Sequence, residues 1–174
     1  MLDIINNLAP FFEDNYARIN IRHYSRLMKI SPPTASKLLK RYAEEHLLES
    51  STYERYIFFS ARRDDKTFID LSRIYWRDRL EGLSTFLADK FAVEPAIILF
   101  GSMSKAEVRK DSDIDIAVIG VNSTVNPFKD MDMAAFEKDL GRKLDIFKFK
   151  SLMDAYKLPI WKAILNGYIL KGAI

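Results

Sequence analysis

The chain has 174 residues, 48% of them hydrophobic and 29% charged, a net charge of +3 and no cysteine. Disulfides, thiolate metal sites and thiol catalysis are therefore excluded, and two histidines, His23 and His46, are too few for an imidazole-rich zinc centre. Metal chemistry would have to run on carboxylates, which suit hard cations such as magnesium. No apolar run approaches the ~18 residues of a membrane span, and no secretory signal opens the chain. Both point to a cytoplasmic protein without a membrane partner.

Leu2 to Asp14 places Ile4, Leu8 and Phe11 or Phe12 at helical spacing, with Pro10 expected to kink or interrupt the helix. Ile21 to Ile30 predicts a second helix, with Ile21, Tyr24, Leu27 and Met28 on its inner face. Ser31 reads as an N-cap, followed by Pro32 and Pro33, where a first helical turn tolerates proline. The third helix would turn Ala35, Leu38, Leu39 and Tyr42 inward and Ser36, Lys37, Lys40 and Arg41 outward. Tyr53 to Phe59, rich in aromatic residues, predicts a strand pair or hairpin arm.

From Tyr16 to Arg63 there are ten Lys and Arg against four Glu, while the rest of the chain is near balance or slightly acidic. Such a local basic excess is the electrostatic footprint of a nucleic-acid-binding module. Helix, helix, proline-capped helix and hairpin, with Leu27-Met28-Lys29-Ile30-Ser31-Pro32-Pro33-Thr34-Ala35-Ser36-Lys37-Leu38-Leu39, resembles the winged helix-turn-helix regulators of archaea and bacteria. That resemblance implies that Thr34, Ser36, Lys37, Lys40 and Arg41 enter the major groove of DNA, with Arg55 and the wing touching phosphates. Paired recognition helices would match palindromic half-sites, so a homodimer is expected with it. Docking of protein or RNA by the same module stays open. His23 and His46 read as ordinary residues of this module.

Asp64 to Phe91 is mostly helical sequence. Phe68, Leu71, Ile74 and Tyr75 form one stripe, and Leu83, Phe86, Leu87 and Phe91 another. Gly82 lies between them as the expected hinge. Core packing is the ordinary reading of both stripes; an intermolecular contact would use Trp76 as its exposed anchor. The predicted organisation is a winged helix-turn-helix over 1–63, a helical linker over 64–82 and a second domain over 83–174.

Ala96-Ile97-Ile98-Leu99-Phe100 is a short apolar run of the buried-strand type, ending in Gly101-Ser102, with helix-compatible sequence through Lys110. A strand feeding a Gly-Ser turn into a helix makes an anion site: Gly101 lets backbone approach a phosphate, Ser102 offers a hydroxyl and an N–H, and Lys105 lies one turn on. Ten residues later comes Ser112-Asp113-Ile114-Asp115-Ile116-Ala117-Val118. Strand residues two apart share a face, so Asp113 and Asp115 project together and repel unless a cation lies between them. Asp145, in Lys143-Leu144-Asp145-Ile146-Phe147-Lys148-Phe149, stands alone on an apolar strand face, where an unpartnered acid is costly.

Phe100-Gly101-Ser102, the ten-residue gap, Asp113-Ile114-Asp115 and the later Asp145 together resemble the minimal nucleotidyltransferases of the DNA polymerase beta superfamily, from about Ala96 to the end. The implied fold is α+β, a polymerase-beta-like domain with a small mixed sheet. The resemblance implies that Gly101 and Ser102 bind a nucleoside triphosphate, probed first as ATP. It further implies that Asp113 and Asp115 hold two magnesium ions and that Asp145 polarises the attacking hydroxyl. Where the family has Arg-Gly after the turn, this chain has Lys105-Ala106; Lys105 keeps the charge, and Ala106 is strained if the backbone there needs a positive φ. Small members of the family pair with a helical HEPN toxin and attach AMP to its tyrosine, so the resemblance implies an antitoxin role. The alternative is a DNA-binding regulator whose second domain senses a nucleotide without turnover.

Overall fold

The computed structural model describes residues 2–121 and 133–173 as a mixed α/β chain. It divides into two compact units: Met1–Tyr75 with Ala106–Lys110, and Trp76–Lys105 with Asp111–Ile174. A five-residue piece of the chain's middle thus belongs to the first unit although both its flanks belong to the second.

In the first unit, α1 (Leu2–Glu13) runs through Pro10 without ending, so the proline that predicted a break is accommodated. β1 (Ile19–Asn20) leads into α2 (Ile21–Met28), whose first turn is capped by Asn20: its side chain accepts the His23 N–H at 2.9 Å. Tyr24 is fully buried on α2, and its hydroxyl donates to the Asn7 carbonyl at 2.8 Å. Leu27, expected on the inner face, is instead 48% exposed, because Tyr24 and Ser25 set the buried stripe and Leu27 falls off its edge. Lys29 closes α2 in the left-handed region at φ 53°. The buried Ser25 fixes the turn beyond, its hydroxyl donating to the Ile30 carbonyl at 2.7 Å.

Ser31 caps α3 (Pro32–Glu44), accepting the Thr34 N–H at 3.3 Å, an arrangement worth about 1 kcal/mol. Ala35, Leu39 and Tyr42 of α3 are buried, with Leu38 half-buried beside them. β2 (Leu48–Tyr53) and β3 (Tyr56–Ala61) form an antiparallel hairpin turning at Glu54-Arg55, and β1 pairs with the outer side of β3 to give the order β1-β3-β2. The hairpin is longer than its aromatic arm alone implied, since β2 is polar and exposed after Leu48. Leu8, Phe11, Phe12, Tyr24, Leu39, Phe59 and Phe68 share one core with Ala106; each large side chain contributes roughly 1.5–3 kcal/mol by leaving water.

Helix α4 (Lys66–Arg79) begins in the first unit and passes into the second after Tyr75. Gly82 lies inside α5 (Glu81–Ala88), and the helix break falls two residues earlier, at Leu80. Trp76 is fully buried and cannot be an exposed anchor; the Arg142 guanidinium lies over its ring, 5.3 Å from the centroid.

In the second unit, β4 (Ala96–Phe100), β5 (Ile114–Ile119), β6 (Leu144–Phe149) and β7 (Tyr168–Lys171) make a mixed sheet of order β6-β5-β4-β7. Antiparallel pairing joins β5 to β4 and β4 to β7, while β5 and β6 run parallel. Helix α6 (Ala134–Leu140) precedes β6, and α7 (Leu152–Tyr156) and α8 (Trp161–Leu165) follow it. Ala155 and Ile164 from this last helix pair pack on Ile98, Phe100, Ala117, Ile119 and Phe149 of the sheet. Among the described residues, no helix is long and apolar enough to cross a membrane.

Candidate active site

Strand directions alone gather the candidate residues at one edge of the sheet. β4 ends where its antiparallel neighbour β5 begins, and β6, parallel to β5, begins there too. Phe100 faces Asp115 across one ladder, and Asp115 faces Asp145 across the other. Gly101-Ser102 follows Phe100 directly, and Asp113 sits just before β5. The phosphate-turn candidates and all three aspartates therefore share one end of three adjacent strands.

β5 is buried on both faces, as a central strand should be, and Asp115 is the one position along it that is not. That exception falls at the site. Gly101 holds φ 69°, and a Cβ there would lie only 3.0 Å from Asp115 Cγ. The absent side chain thus serves two needs: the left-handed turn and the close approach of a carboxylate. Ser104, fully buried, donates its hydroxyl to the Gly101 carbonyl at 3.0 Å and ties the turn back on itself.

Burial holds the Asp115 carboxyl above the usual carboxylate range, and the nearby Asp145 and Asp113 charges push it the same way. Repulsion of this kind is relieved by a hard cation, so the donor set fits magnesium. Among the described residues, however, no three carboxylate or imidazole side chains already stand as a metal cage. Asp145 is exposed on the edge strand β6, contrary to its expected burial. Its connection to the site rests on its register with Asp115 rather than on the cost of a buried acid.

The turn leads into a single 3-10 turn, Met103–Lys105, in place of the expected helix to Lys110. The Lys105 N–H donates to the Ser102 carbonyl at 3.2 Å and its side chain is exposed. A helix dipole is thus not part of this turn, and an anion placed there would meet only local N–H groups, the Ser102 hydroxyl and Lys105. Sequence reading passed over Arg142, which is only 8% exposed and donates from Nη1 to the Ser112 carbonyl at 2.8 Å, bracing the residue before Asp113. Nothing in the local sequence sets this arginine apart from its basic neighbours.

Ala106 does adopt the strained conformation, at φ 56°, with its methyl fully buried. For an L-residue that region costs about 1–2 kcal/mol, against about 0.8 kcal/mol recovered by burying the methyl. Ala106→Gly, an exchange that is ordinarily damaging in a core, should therefore leave stability within about 0.5 kcal/mol. Ala106→Val, β-branched at positive φ, should cost ~2 kcal/mol or more. Denaturant unfolding of the two variants tests this, and a large loss in Ala106→Gly would mean that the strain is not there.

The residues proposed to touch DNA lie in the first unit. Thr34, Lys37, Lys40 and Arg41 are exposed along α3, Ser36 is half-buried, and Arg55 stands at the hairpin turn. Arg41 is engaged with Glu45 through Nε at 2.9 Å.

The second unit is thus a small mixed sheet that brings a glycine turn and three aspartates to one end of its strands. Residues 81–171 match the family described as Polymerase beta, Nucleotidyltransferase. The match covers slightly more than half of the chain, and the chain belongs to this family. No curated protein and no solved structure matches the sequence significantly.

Proposed function

We propose that the chain is a magnesium-dependent enzyme that moves a nucleoside monophosphate, in the first instance AMP from ATP, onto a hydroxyl. The observation that carries this reading is the Asp115 carboxylate lying against the Gly101 turn in register with Asp145. Gly101, Ser102 and Lys105 would hold the triphosphate, and Asp113 and Asp115, with Asp145, would hold magnesium. Bound there, two metal ions would stabilise charge on the attacking and leaving oxygens of an in-line displacement. Asp145, exposed near the start of β6, would accept the proton of the incoming hydroxyl. A bond forms between the acceptor oxygen and the α-phosphorus, the bond from that phosphorus to the bridging oxygen breaks, and pyrophosphate leaves. The acceptor proposed is a tyrosine of a HEPN-type toxin. Calorimetric titration of ATP with and without magnesium tests the site: binding that needs the ion supports it, and no binding under either condition overturns it.

The first unit supports a second activity. Helix, strand, two helices joined by a tight turn and a terminal hairpin are the order of a winged helix-turn-helix, and α3 carries exposed Lys37, Lys40 and Arg41. We read α3 as the recognition helix of a DNA-binding module acting as a dimer on paired half-sites. With a silent transferase site, the same architecture would make a nucleotide-sensing regulator. Lys40→Ala should flatten the log–log salt dependence of DNA affinity by about one unit. An unchanged slope and affinity in that variant, measured by fluorescence anisotropy, would remove α3 from the interface.

A further inference from the structure

The piece of chain between the phosphate turn and the aspartates is held by residues far away in sequence. Residues 106–110 join Lys105 to Asp111 and belong to the first unit. Asn15, just after α1, grips Val108 at both of its backbone groups: the Asn15 N–H donates to the Val108 carbonyl at 2.8 Å, and Asn15 Oδ1 accepts the Val108 N–H at 2.7 Å. The remaining amide group, Nδ2, donates to the Phe11 carbonyl at 2.7 Å. Every polar atom of the side chain is thus engaged, and the residue is 1% exposed. Donor and acceptor needs fix which end of the amide faces which partner, so aspartate cannot take its place without setting oxygen against the Phe11 carbonyl.

The next residue adds a second grip. The guanidiniums of Arg109 and Arg63 both stack on the Tyr16 ring, 3.9 and 4.0 Å from its centroid. Ala106 and Val108 are fully buried, and Ala106 sits in the first unit's own core. One end of this clamped piece is four residues from Ser102 and the other three residues from Asp113. A backbone carries about 3.3–3.6 Å per residue at most, so displacement of residues 106–110 must be absorbed within a few bonds of the site. An error of about 1 Å in such a site is enough to cost up to a hundredfold in rate.

We propose that Asn15 and Tyr16 are positioning residues for the nucleotide site, acting through residues 106–110 rather than by touching nucleotide. The inference rests on the proposed function for its affinity readout and has a second readout that does not. In calorimetry with magnesium and ATP, Asn15→Ala and Tyr16→Ala should weaken binding about tenfold, whereas Tyr16→Phe, which keeps the stacked ring, should stay within about twofold of the parent. If Asn15→Ala does not fold, the Tyr16 pair decides. Equal affinity in Tyr16→Ala and Tyr16→Phe, both at the parent value, overturns the proposal. Should the parent protein bind no nucleotide, the proposed function fails and amide hydrogen exchange decides instead. Tyr16→Ala should then speed exchange in residues 101–105 as well as 106–110, and acceleration confined to 106–110 overturns the proposal.

Discussion

Asparagine at both Asp113 and Asp115 should abolish magnesium-dependent nucleotide binding while making the metal-free protein more stable. The two effects have one origin. Asp115 is held above its ordinary pKa first by burial and then by the Asp145 and Asp113 charges, so its ionised form is disfavoured in the fold. For a carboxyl raised in this way, the stabilising contribution is full below the unfolded value of about 3.9 and is lost as pH rises through the folded value. At neutral pH the native chain therefore carries a destabilising carboxylate that asparagine removes. Solvent screening at this half-buried position limits the gain to on the order of 1 kcal/mol, or about 2–4 °C in melting temperature for a chain of this length.

The stability difference between parent and variant should be absent near pH 4 and open as pH rises through the carboxylate range. Magnesium should reverse it by stabilising the parent alone. Calorimetry should show the loss of binding in the same samples, by at least a hundredfold. Aspartates with a purely architectural role would behave in the opposite way, with stability falling on substitution at neutral pH and magnesium changing nothing. Thermal melts between pH 4 and 8, with and without the ion, separate the two cases.

The parts of the molecule that were legible in the sequence are those whose pattern is local. Ala96–Phe100 is apolar at every position because β4 is buried at every position, and a five-residue apolar run has few other uses. The alternation around Asp113 and Asp115 survived because β5 leaves one polar position open, at the site. Ser31 before two prolines announced α3 because capping is a matter of three neighbouring residues. What stayed hidden depends on distant partners. β2 after Leu48 is too exposed to carry a strand's apolar signature and is recognisable only by its pairing with β3. Trp76 is buried and Arg142 lies over it, a contact that no local pattern encodes. The membership of residues 106–110 in the first unit depends on Asn15, more than ninety positions earlier. Ala106 is intermediate: its strain was conditional on a positive φ, and the fold supplies one.

Gly101→Ala should damage both the stability of the second unit and its nucleotide binding. The added Cβ meets two penalties at once. At φ 69° an alanine costs about 1–2 kcal/mol of backbone strain. The methyl would also be 3.0 Å from Asp115 Cγ and 3.4 Å from Asp115 Cβ, nearer still to the carboxylate oxygen. Neither backbone can yield freely, because Gly101 is tied by the Ser104 hydroxyl and Asp115 is paired on both sides, with Phe100 and Asp145. The side chain able to move is the Asp115 carboxylate itself, and rotating it away from the turn separates the proposed metal ligand from the proposed phosphate cradle. Stability should therefore fall by about 1–3 kcal/mol, short of what unfolds a typical domain, while magnesium-dependent ATP affinity falls by about a hundredfold. Gly82→Ala is the matched comparison, since that glycine is helical and has open space around it. As the second residue of α5, it should gain at most about 0.5 kcal/mol from alanine and leave binding unchanged. ATP affinity in Gly101→Ala within threefold of the parent would mean that the contact between Asp115 and the turn does not organise the site, and the nucleotide would then have to be sought elsewhere in the second unit.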